Sequence, residues 1–378
     1  PRPVDCTEVA MTSPASVDRD RLLQTFLELV AVDSPSGHEQ VIGELLEVRF
    51  GELGCTTSRD DIGNLVAVFP GRRAGTILLS THMDTVGPDT GIKPIIGDDG
   101  VIRTDGSTIL GADDKSGIAG CLELLTLLGA HPEWSCPTIE FVCSVGEEVG
   151  LVGSSHLDVS RLNASHGFVF DTAGAMGSIT YWAPTAVDVT VTFTGRKAHA
   201  GVEPEKGIDA IRVAAEAVAS MPLGRVDEET VANIGTFHAG DVRNVVADLV
   251  LLQGMARSHD QAKLDAQVEA MRTACEEAAA RHGAGVDFVS EEMFRTYKIE
   301  ENSPPYVEAA AAIRSLGLEV VQRKSGGGTD GNLFNAKGIP CVGLPTGMVD
   351  EHATSEHIAI DDMVTACQIM VAIVTGPE

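Results

Sequence analysis

Five short apolar runs constrain this chain more than any other feature. They are Asn-Leu-Val-Ala-Val-Phe at 64–69, Thr-Ile-Leu-Leu-Ser at 76–80, Thr-Ile-Glu-Phe-Val-Cys-Ser-Val at 138–145, Gly-Phe-Val-Phe at 167–170 and Gly-Ile-Pro-Cys-Val-Gly-Leu at 338–344. None alternates apolar with polar. A strand of that kind is covered on both faces, as in α/β folds with a parallel sheet wrapped by helices. Helices are predicted over 20–31, where Leu22, Leu23, Phe26, Leu27 and Val30 share a face, over 38–50, and over 116–130 between two of the runs.

The pattern changes near residue 184. From Ala186 to Gly195 the chain alternates, with Val187, Val189, Val191 and Phe193 on one face. That predicts a half-buried antiparallel strand. Next come a helix over 205–220, strands near 230–238 and 246–256, a helix over 259–282 and a strand over 285–297. Ser258 is the expected cap of the long helix and Gly283 its stop. The order βαββαβ is that of a ferredoxin-like α+β layer. The predicted organisation is an N-terminal tail at 1–17, a main α/β domain from 18–183 and 298–378, and an inserted domain at 184–297.

The 378 residues suffice for two cores. A net charge of −28 argues against nucleic acid and anionic membranes as partners. No apolar stretch reaches the ~20 residues of a membrane span. Residues 1–16 lack the apolar segment of a signal peptide. The eight cysteines form no Cys-x-x-Cys pair, which suits a reducing, cytoplasmic setting.

The residues at the carboxyl ends of the apolar runs carry the chemistry. The second run leads to His82 and Asp84, the third to Glu147 and Glu148, the fourth to Asp171, and the fifth, after a short loop, to His352. Open α/β sheets bind ligands at the carboxyl ends of their strands. Asp113 and Asp114, in Gly-Ala-Asp-Asp-Lys-Ser-Gly, open a helix. One carboxylate suffices to cap it, and Asp114 is expected to do so, which leaves Asp113 as a candidate to be shared by two cations. Asp84, two residues beyond His82, suits the carboxylate that orients a metal-binding imidazole. Two adjacent glutamates diverge at a strand end, so one can bind metal while the other faces a substrate water. Histidine and carboxylate donors without cysteine suit zinc in an open catalytic site, with cobalt or manganese as substitutes.

These stretches resemble the co-catalytic zinc metallopeptidases that include aminoacylase, carboxypeptidase G and peptidase T. The anchors are His82-Met83-Asp84, Gly111-Ala112-Asp113-Asp114-Lys115, Gly146-Glu147-Glu148, Asp171 and His352-Ala353-Thr354-Ser355-Glu356. Gly-Arg-Lys-Ala-His-Ala-Gly at 195–201 and Ser-Gly-Gly-Gly-Thr-Asp-Gly-Asn at 325–332 look most like the peptidase T branch, although that branch usually reads His-Pro-Gly where His199-Ala200-Gly201 stands here. The resemblance implies two zinc ions per chain. His82, Asp113 and Asp171 would hold one, and Asp113, Glu148 and His352 the other. Glu147 would be the general base and Asp84 would orient His82. A cis peptide is expected between Asp113 and Asp114. The inserted domain resembles a lid and dimerisation module, in which His199, Asn244 and Arg257 would hold substrate and Gly327, Gly328 and Thr329 would cradle its backbone.

The activity implied is hydrolysis of the N-terminal bond of short peptides by a homodimer. A carboxypeptidase or N-acyl-amino-acid deacylase would use the same donors, and fold does not decide between them. A non-catalytic peptide-binding protein on the same fold would be expected to have lost a ligand or the base, and neither is missing from the sequence.

Overall fold

The computed structural model describes residues 17–376. The tail expected at 1–17 lies outside them except for Val17, which is buried. The chain divides into two compact units, 182–298 with 324–328 forming the second.

In the first unit the strands lie in the order Thr56–Arg59, Leu65–Phe69, Thr138–Ser144, Thr76–His82, His166–Thr172, Cys341–Pro345 and Ser178–Ala183. The four from Thr138–Ser144 to Cys341–Pro345 are mutually parallel. Antiparallel strands extend both sides, so the sheet is mixed around a parallel centre. The non-alternating runs explain the centre. Every residue of His166–Thr172 is buried, as is every residue of Thr76–His82 after Thr76. Leu78, Val142, Val169 and Cys341 meet Leu157, Phe334 and Ile339 in one cluster. Helix Ala112–Ala130 packs on the strands and against helices Arg19–Val30 and Ile360–Thr375.

One run differs from the expectation. Leu65–Phe69 is antiparallel to its neighbours; Leu65 and Ala67 are buried, while Val66, Val68 and Phe69 are only half-buried. It lies one strand from the edge, where cover is complete on one face only. A small sheet of Ile95–Ile96, Val101–Arg103, His357–Ala359 and Met348–Val349 is an addition to the predicted elements. Strands of two or three residues are too short to show a period.

The second unit has the expected βαββαβ order. Strands Thr230–Ala239, Leu249–Ser258, Thr185–Thr194 and Gly285–Phe294 pair antiparallel in that spatial order, with Gly224–Arg225 at the edge. Val187, Val189, Val191 and Phe193 share its core with Val213 of helix Ala210–Ser220 and with Leu264 and Met271 of helix Gln261–His282. Two helix starts differ from those the sequence predicts. The first helix begins at Ala210, where the Asp209 side chain accepts from the amide of Ile211 at 3.0 Å, after a separate turn at Pro204–Lys206. The long helix is capped by Asp260, which accepts from the Lys263 amide at 3.0 Å; Ser258 ends the preceding strand. Gly283 stops it in a left-handed conformation, φ 66°.

Phe193 is fully buried in this second core. Phe193→Ala should cost about 3–5 kcal/mol through lost burial and the cavity left behind. Urea unfolding followed by circular dichroism should show it as a lower midpoint of the inserted unit's transition. An unchanged midpoint would mean that the core does not depend on this ring.

Candidate metal centre

The parallel register brings the candidate donors level. His82 is opposite Ser144, two residues before Gly146-Glu147-Glu148. Ser80 is opposite Val169, so His82 and Asp171, each two residues further on, end adjacent strands together. Asp113 enters from the start of helix Ala112–Ala130, where Gly111 is left-handed and Asp113 and Asp114 depart from helical geometry. The Asp113–Asp114 peptide is cis. His352 stands in the loop between two strands of the small sheet, at φ 66°.

These residues form two groups that share one member. His82, Asp113 and Asp171 offer ligand atoms within 4.8 Å of one another, and so do Asp113, Glu148 and His352. The two oxygens of Asp113 face different partners. Oδ1 is 3.0 Å from His82 Nε2, and Oδ2 is 3.2 Å from His352 Nε2. His82 Nε2 is 3.7 Å from Asp171 Oδ1, and His352 Nε2 is 2.9 Å from Glu148 Oε2. Glu147 belongs to neither group, although it is buried beside them. The adjacent glutamates thus face different surroundings.

The electrostatics fit cations. Burial, followed by the nearby Asp113 and Glu148 carboxylates, pushes Asp171 up to about 8 against the pull of His82. Burial alone would discharge His82, but Asp171, Asp113 and Asp84 hold its imidazole well above the usual range. Hydrogen bonds to Asp113 and Glu148 raise His352 to about 10. Glu148 Oε1 is buried with no hydrogen-bond partner. A buried oxygen without a partner is costly, and a metal ion would satisfy it. Imidazole and carboxylate donors without thiolate match zinc, cobalt or manganese.

Supporting side chains complete the picture. Asp84 is buried, and His82 Nδ1 lies 2.9 Å from its main-chain oxygen and 3.4 Å from its Oδ1. The Asp84 carboxylate also accepts from the amides of Glu147 at 3.0 Å and Glu148 at 3.2 Å, and from Ser36 Oγ at 2.7 Å. It therefore holds the glutamate pair as well as lying beside the histidine. Asp114 accepts from the amides of Gly117 and His82, tying the helix start to the strand end.

Residues 64–233, which carry four of the five candidate donors, match the profile of peptidase family M28, and residues 184–283 match the peptidase dimerisation domain. Peptidase T of Bacillus subtilis is 31% identical over 278 residues, spanning 72% of this chain and 67% of that protein. The crystal structure of aminopeptidase PepT from Bacillus cereus superposes with a TM-score of 0.84 at 40% identity, covering 95% of this chain and 99% of the other. A tripeptidase from Staphylococcus aureus superposes at 0.89 with 38% identity, covering 95% and 98%. The chain is a metallopeptidase of the peptidase T family.

Other residues singled out from the sequence of this metallopeptidase lie in or next to the inserted unit. His199 and Asn244 are neighbours: the Ala200 amide donates to the Asn244 main-chain oxygen at 3.0 Å, and His199 bridges to Val245. Arg257 Nη1 donates to the Gly326 oxygen at 3.3 Å. At Gly328 a Cβ would fall 2.3 Å from the Phe294 ring, so only glycine fits. Thr329 caps helix Asp330–Ala336 in a box with Asn332, which occupies its side chain.

Glu356 is a positioning group that the sequence does not single out. Its buried carboxylate accepts from the amides of Leu110 at 2.7 Å, Gly111 at 2.8 Å and Asp113 at 3.1 Å. Its only signal is its place in His-Ala-Thr-Ser-Glu. Among the described residues no helix is long and apolar enough to cross a membrane.

The raised imidazole pKa values make metal uptake pH-dependent. Without a cation, the neighbouring carboxylates hold protons on His82 and His352 more tightly than usual, and a metal ligand must give its proton up. Loading should therefore release protons, from Asp171 as well as from the imidazoles, and affinity should fall as pH falls. Calorimetric titration of zinc in buffers of different ionisation enthalpy should give different apparent heats. Identical heats would refute the protonated state.

Proposed function

We propose that this metallopeptidase is an aminopeptidase for short peptides, tripeptides foremost, working with two zinc ions and Glu147 as general base. Cobalt or manganese suits the same donors. The observation that carries the reading is the division of Asp113 between two imidazoles by separate oxygens, the arrangement a bridging carboxylate needs. His82, Asp113 and Asp171 would hold one ion, and Asp113, Glu148 and His352 the other. Two such ions, when bound, polarise the scissile carbonyl and acidify the attacking water. Glu147 takes a proton from that water and returns it to the departing amine nitrogen. Burial, reinforced by Asp171, pushes the Glu147 carboxyl upward, the direction that strengthens a base. Asp84 keeps His82 and the two glutamates in register through the contacts above.

His199, Asn244, Arg257, Gly328 and Thr329 are assigned to substrate binding. Arg257 offers a planar fork for the far carboxylate of a short peptide, which would limit substrate length. The match to a peptidase dimerisation domain supports a homodimer through the inserted unit. The names borne by the Bacillus cereus and Staphylococcus aureus structures support the aminopeptidase and tripeptidase readings.

Two experiments test this. Glu147→Gln should keep its metal and lose roughly 10²–10⁴-fold in kcat. Glu148→Gln should instead lose metal, by elemental analysis. The reverse pattern would exchange the two roles.

The second experiment asks which terminus is read. Free tripeptides should be cut at the first bond, and N-acetylation should lower kcat/KM more than C-terminal amidation. Arg257→Ala should chiefly raise KM and blunt the preference for three residues. N-blocked substrates outperforming free ones would replace this reading with a carboxypeptidase or deacylase.

A further inference from the structure

We infer that Glu39 is a positioning residue for Glu147: its buried carboxylate pins the main chain at Gly146, the residue from which the base is hung. The inference rests on the reading of Glu147 as the base. The loop after strand Thr138–Ser144 is held from outside at four successive amides. Val145 donates to Asn64 Oδ1 at 3.1 Å and Gly146 to Glu39 Oε1 at 3.0 Å. Glu147 and Glu148 donate to the two oxygens of Asp84. The loop carbonyls are satisfied within the loop itself: the oxygens of Val145, Gly146 and Glu147 accept from Gly153, Val152 and Leu151 at 2.8, 3.0 and 2.9 Å. All four amides are given to side chains rather than to a helix or strand, so side chains decide where this turn points.

Gly146 is the weak point of such a loop. It has no side chain, it sits at φ 58°, and rotation there swings Glu147. Glu39 supplies the restraint. It is 7% exposed, stands immediately before helix Gln40–Glu52, and the same Oε1 also accepts from Gly37 at 2.9 Å. A carboxylate makes stronger hydrogen bonds than a neutral acceptor, and losing it leaves a buried amide unpaired. Asn64, which shares the task, is itself fixed by Nδ2 bonds to Asp60 at 2.7 Å and to the Gly153 oxygen at 2.9 Å. Asp84 cannot isolate the effect because it lies beside His82. Glu39 belongs to neither donor group, so replacing it perturbs the aim of the base without removing a metal ligand.

The test compares Glu39→Ala, Glu39→Gln and Glu147→Gln in metal-loaded protein. Glu39→Ala should lower kcat by roughly 10–100-fold, the scale of an ångström of misplacement, with KM and metal content near wild type. Glu39→Gln keeps an acceptor at Oε1 and should recover most of the loss. Hydrogen exchange in the metal-free protein gives a second readout: amides of the 142–152 segment should exchange faster in Glu39→Ala than in wild type or Glu39→Gln. Should the alanine variant not fold, Glu39→Asp, which shortens the reach by one methylene, reads the same loss. Unchanged kcat in Glu39→Ala, a loss that tracks metal content, or no recovery with glutamine would overturn the inference while Glu147→Gln remained inactive. If Glu147→Gln kept wild-type turnover, the base assignment would fail instead. Exchange at Gly146 would then decide alone whether Glu39 holds the loop, faster exchange supporting it and unchanged exchange refuting it.

Discussion

One carboxylate shared by two imidazoles is the constraint around which the first unit is organised. Asp113 meets His82 through one oxygen and His352 through the other. For that, a strand end, a helix start and a loop near the far end of the chain must converge within hydrogen-bonding distance. The parallel register delivers the strand end. Asp114 ties the helix start to it by accepting from the His82 amide. Glu356 fixes the segment leading into Asp113 by gathering three of its amides. Buried carboxylates in such number oppose one another, so the arrangement is held by the backbone contacts and would be made favourable by cations at its centre.

The same device recurs around the site. Asp84, Glu356 and Glu39 are all buried acids whose oxygens accept main-chain amides from residues distant in sequence. A side chain that grips the backbone specifies the direction of the residue it carries without touching that residue's functional atoms. Such shells keep reacting groups within the narrow tolerance that catalysis needs.

Much of this is legible in the sequence because burial and strand ends leave local marks. Runs such as Gly-Phe-Val-Phe are apolar on both faces because both faces are covered, and the polar residue that ends such a run stands at the rim of the sheet. His82, Asp171 and the glutamate pair can be found in that way. The run at 64–69 misleads because its composition matches a central strand while its place beside the edge leaves three residues half-buried. Ser258 has the residue type of a cap, but so does Asp260 two positions later, and residue type alone does not choose between them. Glu356 is marked only by its place in His-Ala-Thr-Ser-Glu, and Glu39 leaves no mark, because a bond from Glu39 to an amide 107 residues away has no period and no motif. Adjacency does not tell which glutamate lies next to His352 either; in the structure it is Glu148.

The two histidines differ in one respect. The His82 side chain is 1% exposed, whereas that of His352 is 50% exposed and springs from a left-handed loop residue. Solvent reaches the His352 ring directly, whereas the His82 ring is shut in at the end of a buried strand. The two donor groups therefore differ in access: one meets solvent through its loop histidine, while the other has its histidine closed in among packed strand ends.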